Sequence, residues 1–555
     1  MELFFKDKYQ FWLLLSIIAA ILFSFSGLKI AFESSNTIQD DARQYIFWMQ
    51  QFNHNGFWDN DLIANYFKSV TPIGFVNLYR LAASLGINVF FFNKISTLII
   101  CIVTTIYCFL VCLAIFPIPF AGFIGSLLLN QNLWMVDDLV SGTPRAFIYA
   151  LLLAFIYYLL LQNILLCSLT IVLQGLFYPQ AVLISLTVFM IKLFNNELKR
   201  KELWVVFIGI IILIIYSLKT SEFTPIITAD RAKVLPEFLS EGRSTFFSKS
   251  FIEFWLIDRR SGFFPIEWQY SLMCIYGFSL WWFKKSDRFT LVKELKPAIK
   301  VLLELFLASA LLFFLAHLLL FRLHLPGRYT HHTIRIIIAL VDGITITIIL
   351  NKLFSWLGKT NGSEGLALNA TFLKFMITIP LLLALLFPTY AVQSYPERLG
   401  YVTGESPAIY QFLQQQPEDI LIATLSKEGD FIPSLAARSV LVAEEYAIPY
   451  HRGYYEQIDR RVRDLITAQY SLKRKTLVEF VTKYQIDLLL IDKDAFTSEY
   501  LMQNRWLRQF QPETDRAINE LNEGQEPFLV QYSDRCIIFQ DENHIVLNAN
   551  CFQSE

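Results

Sequence analysis

Residues 36–52 read NTIQDDARQYIFWMQQF, and they follow the first apolar run of the chain, 10–31, almost at once. Asp40 and Asp41 stand where a membrane helix would leave the bilayer, with Arg43 beside them. The aromatic residues Tyr45, Phe47, Trp48 and Phe52 suit a helix lying in the membrane interface. Two acids at a helix start satisfy free backbone amides and favour the helix dipole. A carboxylate at that position also suits a general base that takes the proton of an acceptor hydroxyl, because it stays ionised at neutral pH. The stretch leaves both readings open, and the rest of the chain must decide between them.

Of 555 residues, 55% are hydrophobic, 16% aromatic and only 17% charged, which is too apolar for an ordinary soluble protein. The expected fold is a polytopic α-helical membrane protein. Apolar runs near 10–31, 94–116, 119–135, 144–161, 163–178, 180–193, 203–218, 265–283, 300–321, 333–350 and 371–391 make about eleven transmembrane helices. The pair around Tyr178 and Pro179 is short and reads as a hairpin among other helices. The run at 72–92, broken by Arg80, Gly86 and Asn88, reads as interfacial. The net charge of −1 gives no reason to expect nucleic acid.

Loop charge sets the orientation. The basic connections 192–201 (KLFNNELKRK) and 284–300 belong in the cytoplasm, which places the N-terminus inside as a retained first helix. The segment 32–93, the short loop 137–145, the loop from Lys219, 322–332 and everything after about 392 then lie outside. The transmembrane part spans 1–391. The tail, 392–555, alternates β-type runs such as DILIATL with helical patterns and reads as an extracytoplasmic α/β domain. There Cys536 and Cys551 can form a disulfide; five other cysteines lie in or near apolar runs.

Three external segments carry candidate chemistry. DDLVSGTPRAF (137–147) brings Asp137 and Asp138, with Arg145 one short loop away. Two acidic loops on one face suit a divalent cation, Mg or Mn, or the positioning of an acceptor; the plain alternative is a solvated turn. FRLHLPGRYTHHTIRI (321–336) places Arg328, His331 or His332, and Arg335 on one helical face, with Arg322, His324 and Tyr329 nearby. Arginine suits phosphate, and a cationic cluster at headgroup level fits a lipid phosphate, against generic headgroup anchoring. Arg259 and Arg260 join that phosphate set or pair with Asp258. The sequence has no P-loop, GxGxxG, HExxH or nucleophile-elbow motif.

Taken together, these residues resemble the GT-C superfamily of integral-membrane glycosyltransferases, in which a first helix is followed by a long external loop with an acidic motif. IQDDARQYIFWMQQF carries the resemblance and LPGRYTHH adds to it more weakly. The chain is also similar to a group of uncharacterised cyanobacterial membrane proteins, which implies a bacterial plasma (inner) membrane. The GT-C resemblance implies a polyprenyl-phosphate sugar donor, a glycan, lipid or protein acceptor, and a soluble domain after the last helix. GDFIPSLAARSVL (429–441) resembles the corresponding part of oligosaccharyltransferase catalytic subunits, whereas their WWDYG-type signature is absent. The expected mechanism has Asp40 or Asp41 as general base, with Asp40 preferred. Asp137 and Asp138 position an acceptor or metal. Arg145, Arg322, Arg328, Tyr329, His331, His332 and Arg335, with Arg259 and Arg260, bind the lipid phosphate.

Two rivals remain at this level. A transporter or flippase for a lipid-linked sugar needs ionisable residues near the bilayer midplane of several helices. Few are visible here, Glu304 and His317 among them. A non-catalytic membrane protein with a binding tail would tolerate neutralisation of the acidic pairs.

Overall fold

A computed structural model describes residues 8–53, 58, 60–218, 221–240, 242–265, 289–360, a few helical positions between 376 and 383, and 399–553. The membrane part is built from α1 (Tyr9–Ala31), the short α2 (Asp40–Ile46), α3 (Val89–Ile115), α4 (Pro119–Leu133), α5 (Ile148–Leu160), α6 (Ile164–Phe177), α7 (Gln180–Phe194), α8 (Glu202–Leu218), α9 (Lys300–Leu318) and α10 (Gly327–Thr360). Four helices, Tyr9–Ala31, Val89–Ile115, Pro297–Leu318 and Gly327–Trp356, are long and apolar enough to cross a bilayer; α5 to α8 are shorter and equally apolar. Aliphatic and aromatic side chains on α1 and α8, such as Leu22, Phe25, Trp204 and Ile215, face outward, as lipid contact requires. The protein is a multi-pass membrane protein. The expected runs 265–283 and 371–391 lie almost wholly outside the described residues.

All 15 residues of α4 are buried, which makes it the central helix. It packs along α10 through small residues spaced by four, Ala121 and Gly125 on α4 against Ala339 and Gly343 on α10. A Cβ added at Gly343 would sit 2.7 Å from the Ala121 carbonyl oxygen. This close approach matters for function: α4 leads into Asp137, and α10 opens with the basic stretch. α10 starts at Gly327 instead of near 333, because Arg328, His332 and Arg335 are helical residues turned into the protein. The 72–92 run is the helix Ile73–Ser84 followed by the first residues of α3.

The segment after α1 does not stay in the membrane part alone. Strand β1 (Thr37–Gln39) pairs antiparallel with β2 (Tyr401–Thr403), which joins the region of the acidic pair to the start of the tail. The tail contains a five-stranded sheet of β3 (Leu421–Thr424), β4 (Ser439–Val440), β5 (Leu488–Asp492), β6 (Ile537–Gln540) and β7 (His544–Asn548), in the order β4-β3-β5-β7-β6. The β4, β3 and β5 neighbours run parallel, and β7 and β6 add antiparallel. A Cys536–Cys551 disulfide ties the turn before β6 to the segment after β7.

Candidate active site

The β1–β2 pairing fixes where α2 begins. The Asp40 amide donates to the Gly400 carbonyl at 2.7 Å, and the Gln39 side chain accepts from the Ala42 amide at 3.1 Å, so Gln39 is the cap and the aspartates open the first turn. Successive helical residues point about 100° apart, and the two acids go to different partners. Asp41 accepts from Arg145 at 2.5 Å. Asp40 pairs with Arg43 and lies 3.7 Å from Arg243, facing the tail. Both acidic segments meet at Gly400, where a Cβ would stand 3.5 Å from that of Asp137 and 3.9 Å from that of Asp40.

The 137–145 loop is held from beneath. Gly142 takes a left-handed φ of +59°, and a side chain there would collide with Asn93. The Asn93 amide donates to the Ser141 carbonyl at 3.1 Å and to Tyr79 at 3.0 Å, and the Ser141 and Thr143 hydroxyls bond each other at 2.8 Å. Arg145 is thereby presented to three acids at once. It reaches Asp41, donates to the Asp137 carbonyl at 3.1 Å, and brings Nε to 3.2 Å from the Asp138 carboxylate.

Asp138 is the deepest acid of the set. Arg335 pairs with its Oδ2, Arg328 lies 3.4 Å from Oδ1, and the Tyr149 hydroxyl donates to Oδ2 at 2.9 Å. Tyr149 accepts from Arg335 at 2.9 Å and lies 2.9 Å from His332 Nδ1. The hydroxyl proton is already given to Asp138, so Nδ1 is the donor in that pair. Burial alone would raise Asp138, but Arg145, Arg335, His332 and Arg328 together hold it well below the usual carboxylate range. The network runs from a solvent-reachable rim to a sealed floor: Asp41, Arg259 and Arg328 are 30%, 60% and 22% exposed, whereas Arg335 and His332 are 5% and 0%.

Arg259 pairs with Asp137 and so joins the rim. Arg260 does not; it donates to Thr245, and its carbonyl accepts the Gly327 amide that starts α10. His331 donates Nε2–H to the Gly262 carbonyl at 3.0 Å, which leaves His332 as the histidine in the network. Tyr329 donates to the Leu323 carbonyl, His324 meets the Tyr450 ring edge-on, and Arg322 lines a separate cleft with Arg231 and Arg452. Sequence reasoning missed Tyr149 and Tyr178, whose ring at the α6–α7 hairpin apex lies 6.2 Å from that of His332. It also missed a second cluster, in which Arg43 and Arg243 grip Glu445 at 2.8 and 2.6 Å and Gln44 donates to it at 2.6 Å.

A divalent cation between the acidic loops needs free carboxylate oxygens and local negative charge. The observed site lacks the negative charge. Asp41, Asp137 and Asp138 are met by four guanidiniums, those of Arg145, Arg259, Arg328 and Arg335. Two unit charges 4 Å apart interact by about 4 kcal/mol at an effective dielectric of about 20, and a divalent ion would meet roughly twice that repulsion from each arginine. Among the described residues, no group of three or more His, Cys, Asp or Glu is arranged to hold a metal.

No protein-family model and no curated protein matches the sequence. Among solved structures, the chain is similar to the archaeal oligosaccharyltransferase AglB from Archaeoglobus fulgidus in complex with an inhibitory peptide and a dolichol-phosphate. The identity is 12% and the TM-score 0.53, with 91% of this chain and 72% of that chain covered. The Archaeoglobus fulgidus oligosaccharyltransferase tethered with an acceptor peptide containing the NVT sequon aligns at 10% identity and a TM-score of 0.51, over 92% of this chain and 72% of that one. At such identity the likeness is one of fold, and it extends over the membrane part and the tail together. The chain carries the fold of the Archaeoglobus fulgidus oligosaccharyltransferase.

Proposed function

We propose that this chain moves a sugar from a polyprenyl-phosphate donor to an acceptor hydroxyl on the extracytoplasmic face of a bacterial plasma membrane, with its N-terminus in the cytoplasm. The observation that carries the reading is the single network joining both acidic segments to the basic face of α10, with Asp41 and Arg328 at its reachable rim. The dolichol-phosphate bound to AglB supports a lipid-linked donor.

In this mechanism Asp41 takes the proton of the acceptor hydroxyl as the oxygen attacks the anomeric carbon. The bond from that carbon to the donor phosphate breaks, and its electron pair leaves with the phosphate. Arg328 and Arg259 meet the departing charge, while Arg335, His332 and Tyr149 act through Asp138 to hold the cationic wall in place. One displacement inverts the anomeric centre. Asp41 is preferred to Asp40 because Asp40 turns to Arg43 and the tail.

The test is transfer of labelled sugar from a panel of polyprenyl-phosphate sugars in membranes carrying wild type, Asp41→Asn, Asp40→Asn or Arg328→Ala. Removing the base lowers transfer by about 100-fold or more, and removing a phosphate-facing charge by a similar factor. Asp40→Asn has the smaller effect. Undiminished transfer by Asp41→Asn at normal expression rejects the assignment.

A further inference from the structure

We infer that the Arg145 guanidinium takes the place of a divalent cation between the two acidic segments, so that this chain binds no such ion there. A metal bridging these segments would stand where the Arg145 guanidinium stands, between Asp41, Asp137 and Asp138. Arg145 Nη2 holds Asp41 Oδ2 at 2.5 Å and the Asp137 carbonyl at 3.1 Å, and Nε lies 3.2 Å from Asp138 Oδ1. A guanidinium does what a bridging ion does in such a place: it presents several directed contacts from one positive centre and joins three separate acids. Two further carboxylate oxygens are engaged by other groups, Asp137 Oδ1 by Arg259 and Asp138 Oδ2 by Arg335 and Tyr149.

The arrangement is built into the fold. Arg145 is 8% exposed, and the turn that presents it is fixed by the left-handed Gly142, by Asn93 and by Tyr79. A surface arginine that had swung into an empty cation site would lack this support. The consequence for chemistry rests on the glycosyl-transfer reading: the positive charge opposite the donor phosphate is covalently fixed, and transfer persists in the presence of a chelator.

The experiment is Mn2+ binding to the purified full-length protein in detergent, followed by electron paramagnetic resonance up to millimolar Mn2+, for wild type, Arg145→Gln, Arg145→Ala, and Arg145→Gln combined with Asp41→Asn. Wild type shows no saturable binding. Either single variant frees Asp41 Oδ2, the Asp137 carbonyl and Asp138 Oδ1 and gains one saturable site, and the double variant loses it again. Glutamine keeps much of the arginine's length, which preserves the fold if alanine does not. Saturable binding by wild type that weakens in Asp41→Asn overturns the inference, because Arg145 then moves aside for the ion. Failure of both Arg145 variants to bind Mn2+ also overturns it, since no cation position would exist to be filled. A parallel transfer assay with chelator separates the two claims: absence of transfer from every donor speaks against the glycosyltransferase reading alone and leaves the binding result standing.

Discussion

Tyr149 shows how much of the site depends on one neutral oxygen. Its hydroxyl donates to Asp138 and accepts from both Arg335 and His332, in a place where none of the four side chains is more than slightly exposed. Replacing it by phenylalanine removes a donor from a buried carboxylate and leaves the His332 N–H unpaired. That costs about 1–3 kcal/mol for the orphaned groups, and the Tyr149→Phe protein should unfold several degrees below wild type in a thermal melt. An unchanged midpoint would mean that the hydroxyl is not shared as described. Tyr149 was invisible in the sequence because it lies in IYALLLAFIYYLL, where a tyrosine reads as an ordinary membrane aromatic. Asp41, Asp138, Arg145 and Arg335 were visible for the opposite reason, since charges are scarce in this chain and each one near a helix end invites a question. Spacing alone did not separate His331 from His332, because positions three and four residues after Arg328 are both near its face. The Arg43–Glu445 pair spans 402 positions, and no local pattern announces it.

At the scale of elements, the site exists because α4 and α10 run close enough for the loop after one to meet the first turns of the other. Gly343 makes that approach possible, with no room for a side chain between it and the backbone of Ala121 and Gly125. Gly343→Val forces the helices apart by more than a methyl group can be absorbed in a close-packed interior, and overpacking of this kind costs about 1–3 kcal/mol. The expected outcome is a lower yield of folded protein on size-exclusion chromatography and a lower melting midpoint. A variant as stable as wild type would show that the contact is loose. The apolar runs located most of the helices to within a few residues, since length and hydropathy are imposed by the bilayer. They failed at the start of α10, where the first turns are polar and buried against other polar groups. They also hid Asp342, an acid in the middle of the same helix whose two carboxylate oxygens have no hydrogen-bond partner among the described residues. A hydropathy window averages such a residue away.

Across the whole molecule, the tail is clasped to two segments of the membrane part, the one after α1 and the one after α8. Arg43 and Gln44 hold Glu445 from one side and Arg243 holds it from the other, and residues 223–227 exchange backbone hydrogen bonds with 450–453. This seam buries acids. Glu237 is 1% exposed; one oxygen accepts the Ser244 amide at 3.2 Å and the other has no hydrogen-bond partner among the described residues. Burial pushes Glu237 up from 4.5 to about 7. Burial likewise pushes Glu445 up to about 8, and the guanidiniums of Arg243 and Arg43 offset only part of that. An acid raised in the folded state keeps a proton that the unfolded chain releases, so its contribution is complete below the unfolded value and disappears as pH rises through the folded one. For Glu237 the shift is worth about 3 kcal/mol. Asp138 has the opposite sign: held low by its cations, it withdraws its contribution only in acid, below the window in which the two glutamates act. His324 and His451, which burial holds below the usual imidazole value, add stability as pH rises to about 6.5, so the fall in the melting midpoint of the purified protein is expected above that, from about pH 7 to about pH 8. Glu237→Gln, which keeps an acceptor for Ser244 and cannot ionise, should flatten that fall and raise the midpoint at pH 8. A midpoint that rises with pH over the same range would require Glu237 to be charged in the folded protein, and its buried carboxyl would then need a partner that the observed contacts do not give it.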